Sequence, residues 1–183
     1  MVSNEEISVN KRNGRGKESL QIDKIHAMVG FATEGITGVS ASHVEMNSGI
    51  QLFDGISTAD IQQILIKSAN DLITLENPNY QYVAARLLLF SLRKQLFHRL
   101  WDHPKLIDHI KKLIEMGLYD KDILVNYDES EIDRMDMWID HERDYNFTYA
   151  GLRQVMDKYL VQDRSTGDIF ETPQFMYMMI SAT

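Results

Sequence analysis

A short basic stretch near the N-terminus carries the clearest chemistry in this sequence. Residues 11–17 read Lys-Arg-Asn-Gly-Arg-Gly-Lys, so four cationic side chains surround a turn that holds two glycines. Glycine lets the backbone amides of such a turn face an anion, and arginine and lysine are the usual partners of phosphate oxygens. The pattern is typical of a phosphate site. A solvated hairpin whose cations serve solubility explains the same spacing at least as well, so both interpretations stay open.

Two predicted helix starts add to the phosphate interpretation. Asp23-Lys24 opens one helix, and Thr58 stands at the head of another. The N-terminus of a helix carries a partial positive charge and free amides that favour an anion. A threonine there can also donate its hydroxyl. These positions extend the basic stretch into a candidate binding surface.

Other kinds of chemistry have less support. The 183 residues include no cysteine, which excludes disulfides, thiolate metal sites and a cysteine nucleophile within this chain. No Gly-x-Ser-x-Gly, Walker P-loop or His-Glu-x-x-His motif occurs. Residues 141–144 read His-Glu-Arg-Asp, but consecutive residues do not share a helix face, so a solvated or salt-bridged cluster is the better interpretation. We therefore predict no catalytic residue and no metal site.

Composition and charge narrow the class of protein. The chain is 44% hydrophobic and 25% charged, which predicts one folded domain of ordinary size or two small ones. Its net charge of −8 disfavours nucleic acid as a general partner. No stretch approaches the ~18 apolar residues of a membrane-spanning helix, and the N-terminus lacks the apolar run of a secretory signal. We expect a cytoplasmic protein.

The first hundred residues predict a β-hairpin on a helical bundle. Ile7–Val9 and Leu20–Ile22 alternate in polarity, with the turn signal Asn13-Gly14 between them. Helical spacing predicts one helix at Asp23–Glu34, a second capped by Thr58, and a third from Asn77-Pro78 to about Leu100. The expected fold is a hairpin capping about four helices.

The second half is also predicted to be mainly helical. A helix is expected at Pro104–Met116, a capping box at Asp128–Glu131, and a second hairpin around Ser165–Gly167. The run Phe175–Ile180, after a start at Thr172-Pro173, is apolar on every face. Such a run is either covered by a larger body outside this chain or tucked into the chain's own core. On the first alternative, trimming the chain at about Glu171 raises its solubility.

Several motifs together resemble a known family. Four stretches resemble an ATP-cone domain: Lys11–Gly14, Ile22–Ile25, Gly55–Ile61 and Tyr80–Leu87. The similarity continues past the cone, through His141–Asp144, Lys158–Val161 and Thr166–Thr172. In their order these motifs resemble the N-terminal part of the large (α) subunit of aerobic class I ribonucleotide reductase. The resemblance implies a mainly α fold with small β-hairpins (α+β). It also implies an ATP cone at residues 1–98 and a helical segment at 99–183 that leads towards a missing ten-stranded α/β barrel.

The resemblance also implies a nucleotide site. In this family the cone binds ATP as activator or dATP as inhibitor, with Mg²⁺. Three basic residues match the family's phosphate contacts, and four residues match the segment that holds adenine and ribose. Two more match helix-start positions beside the nucleotide, and another two would wall the base. These sets are Lys11, Arg12 and Lys94; Glu18, Gln21, Lys24 and Ile25; Thr58 and Ile61; and Val9 and Phe90. Gln62 and Ser91 stand where well-known bacterial relatives have histidine.

The function implied is regulatory. Within a ribonucleoside-diphosphate reductase, the enzyme that makes deoxyribonucleotides for DNA replication, this region is an allosteric module. The partners implied are the rest of the large subunit, the radical-generating small (β) subunit and further copies of the chain. Reduction needs cysteines, so the chain alone is expected to be inactive. The alternative is a degenerate cone that makes subunit contacts without binding nucleotide.

Overall fold

The chain folds into two compact units. A computed structural model describes residues 8–11, 16–49 and 54–183, so the predicted turn Asn13-Gly14 and the predicted site residue Arg12 lie outside the described residues. One unit comprises Met1–Ser91 with Thr148–Ala150, and the other comprises Leu92–Phe147 with Gly151–Thr183. Each unit is described by itself below.

The first unit contains a small three-stranded sheet. Its strands are β1 (Ser8–Asn10), β2 (Lys17–Ser19) and β3 (Ile56–Ser57), in the order β2-β1-β3. The antiparallel pairing of β1 with β2 confirms a hairpin. The second strand lies three residues earlier than Leu20–Ile22, because Ile22 already begins a helix. Strand β3 was not predicted, since two residues carry no readable alternation.

Polar contacts fix β3 beside β1. The Ser8 carbonyl accepts from the Gly55 amide at 2.8 Å, and the Asn10 side-chain amide donates to the Gly55 carbonyl at 2.6 Å. The Asp54 carboxylate accepts from both the amide and the hydroxyl of Ser8, at 2.8 and 2.7 Å. These hydrogen bonds lower the pKa of Asp54. The hairpin is thereby joined to the loop that leads into the next helix.

Within the described residues, three helices and the part of a fourth that precedes Leu92 complete the first unit. They are α1 (Ile22–Thr33), α2 (Ala41–Gly49), α3 (Thr58–Asp71) and α4 (Tyr80–Phe97). The expected hairpin on about four helices is confirmed. Ser57 rather than Thr58 caps α3, because the Ser57 hydroxyl accepts from the Asp60 amide at 3.0 Å. Helix α4 begins two residues after Pro78 and ends before Leu100, so it is shorter than predicted at both ends.

The second unit is built on short helices. After the end of α4 come α5 (Leu106–Glu115), α6 (Ile123–Asn126), α7 (Glu129–Trp138), a 3-10 helix (His141–Asn146), α8 (Tyr149–Lys158) and α9 (Pro173–Ala182). The capping box is confirmed: Asp128 and Glu131 each accept from the other's backbone amide. Of the second hairpin, one isolated bridge forms, between Gln162 and Ile169.

The C-terminal helix packs into the core of the second unit. Phe175 is fully buried among Leu106, Ile110 and Ile132, and its ring stacks on the His109 ring at 4.3 Å between centroids. The opposite face of α9 is open, and Ile180 is 63% exposed. The run Phe175–Ile180 was expected either to be covered by a larger body or to pack into the chain's own core. For Phe175 the structure supports packing into the chain's own core. No helix in the described parts of the chain is long and apolar enough to span a membrane.

A buried arginine organises the loop after α7. Arg93 is 2% exposed, and its guanidinium donates to the Tyr145 hydroxyl at 2.9 Å and to the His141 carbonyl at 2.6 Å. The same guanidinium lies 3.8 Å from the Asp144 carboxylate, which also accepts from the Gln174 side chain at 2.9 Å. The charged stretch at 141–144 therefore forms a salt bridge, but a buried one, since Asp144 is almost inaccessible.

We predict that removing α9 unfolds the second unit. Trimming the chain at Glu171 removes Phe175 from the core, and Phe175→Ala alone is expected to lower the free energy of unfolding by about 3–5 kcal/mol. Urea denaturation followed by circular dichroism measures both changes. Ile180→Ala, on the exposed face of the same helix, is the matched control and should change stability little. A trimmed chain that keeps its unfolding midpoint would contradict this placement of α9.

We also predict that acid destabilises the second unit. Burial lowers the pKa of His103 and of His109 to about 4 and, helped by His103, lowers that of His141 to about 3. The unfolded chain therefore binds more protons, and these histidines cost stability as the pH falls from about 6.5 towards 4. Burial acts in the opposite sense on two acids, raising the pKa of Asp144 to about 6 and raising that of Glu171.

The three histidines bind more protons on unfolding than the two acids release, so the free energy of unfolding should fall as the pH falls from about 6.5 towards 4. Urea unfolding at several pH values measures the slope. His109→Leu should make the slope shallower by about one proton. A slope of the opposite sign in the parent chain would show that the two acids dominate.

Candidate nucleotide site

Two lysines meet one carboxylate beside the sheet of the first unit. The Lys11 Nζ lies 2.9 Å from Glu18 Oε2, and the Lys24 Nζ lies 4.0 Å from Glu18 Oε1. The side chains of Lys11 and Lys24 are 43% and 65% exposed, whereas that of Glu18 is 28% exposed. The hydrogen bond from Lys11 lowers the pKa of Glu18. We call these three residues the lysine–glutamate cluster.

Local structure explains why these residues meet. Val9 on β1 pairs with Glu18 on β2, and the Lys11 amide donates to the Gly16 carbonyl at 3.1 Å, which brings Lys11 back towards β2. Gly16 has a φ of +100°, a backbone conformation that residues other than glycine rarely adopt. Lys24 lies in the first turn of α1, where its amide donates to the carbonyl of Gln21 at 3.0 Å. The cluster therefore lies at a strand edge and a helix N-terminus.

The predicted apolar residues of the site are mostly buried. Val9, Ile61 and Phe90 are 3%, 7% and 1% exposed, so they belong to the packed interior of the first unit. Ile25 is half-buried one residue after Lys24. The burial of these side chains shows that they support the fold, whether or not they also contact a base.

The remaining predicted residues lie on nearby elements. Gln21 is the exposed N-cap residue of α1 and makes no side-chain capping hydrogen bond. Thr58 is the half-buried first residue of α3, directly after the pairing of Ser57 with Asn10 on β1. Lys94 follows Phe90 by one turn on α4 and belongs to the second unit. The structure thus joins Lys11, Glu18 and Lys24 by direct contacts, and the roles of the others stay predictions.

Gln62 has a structural role that the sequence did not reveal. Its side chain is 2% exposed, and Nε2 donates to the Leu87 carbonyl at 2.9 Å. This hydrogen bond ties α3 to α4 inside the first unit. Ser91, the other position where relatives were expected to have histidine, is also buried. Nothing in the local sequence distinguishes an interhelical glutamine from a ligand contact.

The described residues contain no cluster of side chains arranged to hold a metal ion. Within 8–11, 16–49 and 54–183, no group of three or more histidine, aspartate and glutamate side chains is arranged to hold a metal ion. The histidines near the start of α5 pack against other rings: half-buried His103 stacks on His141 at 3.7 Å, and Phe97 meets buried His109 edge-on.

Comparison with known proteins shows which domains the chain contains. Residues 7–95 match the ATP cone domain, and residues 145–183 match the all-alpha domain of ribonucleotide reductase. The chain is 47% identical over 179 residues to ribonucleoside-diphosphate reductase 1 subunit alpha of Escherichia coli. It is also 47% identical over 180 residues to the subunit alpha of Haemophilus influenzae and 43% identical over 174 residues to that of Enterobacteria phage T4.

The two domain matches define the class of protein: an ATP cone followed by a stretch of the ribonucleotide reductase all-alpha domain. More particularly, the chain belongs with the N-terminal region of class I ribonucleotide reductase large subunits, which confirms the family that the motifs indicated. The alignments cover 98%, 98% and 95% of this chain but 23%, 24% and 23% of these three relatives. The chain therefore spans about a quarter of their length.

We predict that positions 62 and 91 affect discrimination between ATP and dATP. The two nucleotides differ by one hydroxyl, and a site rejects the loss of a hydroxyl when its own polar group is left unpaired. The double variant Gln62→His, Ser91→His should shift the ratio of the two dissociation constants several-fold, or about 1 kcal/mol. Competitive titration measures the ratio. Gln63→His, on the exposed side of α3, is the matched control. An unchanged ratio in the double variant would mean that these positions do not set the preference.

Proposed function

We propose that this chain is the allosteric nucleotide-binding region of a ribonucleoside-diphosphate reductase large subunit, binding ATP as activator and dATP as inhibitor. The observation that carries the proposal is the lysine–glutamate cluster. It places two cations at a strand edge and a helix N-terminus, within the segment that matches the ATP cone domain. Phosphate oxygens are ligands that two exposed ammonium groups and a helix N-terminus can hold.

Each residue would serve a part of the nucleotide. Lys11, Arg12 and Lys94 would hold phosphate oxygens, with the amides at the start of α1 adding partial positive charge. Glu18, Gln21, Lys24 and Ile25 would hold the adenine and ribose, with Val9 and Phe90 walling the base and Thr58 and Ile61 beside it. The Lys24 ammonium points to a phosphate contact as well, because it lies in the same cluster as Lys11. Mg²⁺ would accompany the triphosphate and neutralise part of its charge.

The site would work through subunit association. Three relatives of this chain are alpha subunits of ribonucleoside-diphosphate reductases, so the partners proposed are the remainder of the large subunit, the radical-generating small subunit and further copies of the chain. A cytoplasmic location follows from that role. The chain has no cysteine to form a thiyl radical, so its own contribution is regulation, and it is expected to catalyse nothing alone.

We predict that the chain binds Mg-ATP and Mg-dATP and that Lys11→Ala weakens both. The variant loses a charge-assisted hydrogen bond to phosphate, which should reduce affinity by about ten- to a hundred-fold. Isothermal titration calorimetry measures this loss, and a thermal-shift assay reports binding independently. Lys111→Ala is the matched control, because Lys111 is also an exposed lysine paired with a glutamate, in the second unit.

The same experiment tests the degenerate-cone alternative. If the parent chain gives neither heat nor a thermal shift with either nucleotide, the site is a subunit-contact module and the proposed function is wrong. If Lys111→Ala weakens binding as much as Lys11→Ala, the effect is one of overall charge rather than of a site.

A further inference from the structure

The residues of the proposed nucleotide site lie on separate elements of the first unit. Lys11 follows β1 of the hairpin, Lys24 lies in the first turn of α1, and Thr58 begins α3. A nucleotide that contacts several elements binds well when they already stand in place, because the cost of arranging them is subtracted from the binding free energy. The contacts that hold the hairpin against the start of α3 therefore bear on affinity.

The hairpin on its own is a weak structural unit. Strands β1 and β2 have three residues each, and an isolated two-stranded hairpin is marginally stable in water. Its connection to α3 runs through β3, a strand of two residues that pairs with β1. So short a ladder supplies few backbone hydrogen bonds. A side-chain contact across this junction therefore has a large influence on whether the hairpin stays docked.

Asp54 makes such a contact. It lies two residues before β3, and its Oδ1 accepts from the amide of Ser8 at 2.8 Å and from the hydroxyl of the same serine at 2.7 Å. Ser8 is the first residue of β1, 46 positions away in the sequence. Hydrogen bonds to a charged acceptor are stronger than those between neutral groups. The carboxylate thus ties the hairpin to the segment that leads into α3.

We propose that Asp54 is a positioning residue of the nucleotide site: by binding Ser8 it holds the hairpin against the start of α3, and so raises the affinity for ATP without contacting it. This inference rests on the proposed function, since it concerns the same site. A carboxylate repels phosphate, so a direct effect of its charge on the nucleotide would make binding tighter when Asp54 is removed. The positioning role predicts an effect of the opposite sign.

The test is Asp54→Ala, with Mg-ATP titrated into the full chain and into the variant by calorimetry. Without the contact to Ser8 the hairpin is docked for part of the time, and the apparent dissociation constant rises by the inverse of that fraction. We expect roughly three- to tenfold weaker binding. Asp54→Asn keeps an oxygen that accepts from Ser8 but loses the charge, so it should recover part of the affinity.

Amide hydrogen exchange in the same proteins, measured by NMR, reports the docking of the hairpin. The Gly55 amide donates to the Ser8 carbonyl at 2.8 Å, so it exchanges when the junction opens. In Asp54→Ala this amide should exchange faster, and saturating Mg-ATP should restore its protection. The amide of Leu65, a buried residue of α3, should exchange as in the parent, because the helices stay folded.

Asp163→Ala is the matched control. The Asp163 Oδ1 accepts from the amide and the hydroxyl of Ser165, at 2.8 and 2.6 Å, and these hydrogen bonds lower the pKa of Asp163 as those from Ser8 lower the pKa of Asp54. The contact spans two residues of the second unit, so it has the same chemistry without joining the hairpin to α3. This variant should leave the affinity for ATP unchanged, and an equal loss in it would overturn the inference.

The outcomes separate this inference from the function on which it rests. If the parent binds ATP and Asp54→Ala binds it equally or more tightly, the inference alone is overturned. It is also overturned if Leu65 loses protection together with Gly55, because Asp54 then stabilises the whole unit, or if affinity falls while Gly55 exchanges as in the parent. If the parent does not bind ATP, the proposed function fails and the inference fails with it. Weaker binding with faster exchange at Gly55, but not at Leu65, supports both.

Discussion

The pairing of β1 with both of its neighbours is the constraint on which the candidate site depends. Strand β1 has three residues, and Val9 at its centre is buried between Glu18 on β2 and Ile56 on β3. Backbone hydrogen bonds and the Ser8–Asp54 contacts make this short strand specific in its register. A one-residue slip would turn Val9 to solvent and move Glu18 away from the lysines. The cluster exists because the register is fixed.

The same sheet links the two halves of the proposed site. Strand β3 ends at Ser57, which caps α3 and pairs with Asn10, so the start of α3 is tied to the hairpin that carries Lys11. Helices α3 and α4 are then joined by the hydrogen bond from Gln62 to the Leu87 carbonyl. A continuous series of hydrogen-bonded contacts therefore connects the hairpin to α4. Such a path fits a regulatory region, since allostery requires that one site bias a packed element elsewhere.

The second unit shows a different balance of forces. Its core holds apolar residues of α5, α7 and α9 beside buried polar groups, namely Arg93, Asp144 and His109. Burying the Arg93 charge costs free energy, and the hydrogen bonds from its guanidinium to Tyr145 and His141 offset part of that cost. The hydrogen bonds that Arg93 and Asp144 do make favour one arrangement of the chain, because alternatives would leave more of the buried charge unpaired. The charged stretch at 141–144 is therefore an anchor for a loop that has little apolar surface of its own.

The sequence alone determined the elements whose signals are local. Capping at Asp128 and Glu131, the end of α5 before Gly117, and the apolar periodicity of α3 all depend on residues within one or two turns, so they could be predicted and are found. The resemblance of the ordered motifs also indicated the family, and the 47% identity over 179 residues to a reductase alpha subunit confirms it.

Tertiary structure decided what depends on residues far apart in the chain. The pairing of β3 with β1, the position of Gln62 between two helices and the burial of Phe175 each require a partner many residues away. The same is true of Glu18: the resemblance to the family implied a nucleotide contact, but only the fold shows its carboxylate paired with Lys11 and close to Lys24. Local propensity cannot report such contacts, because their energy comes from groups that meet only after the chain has folded.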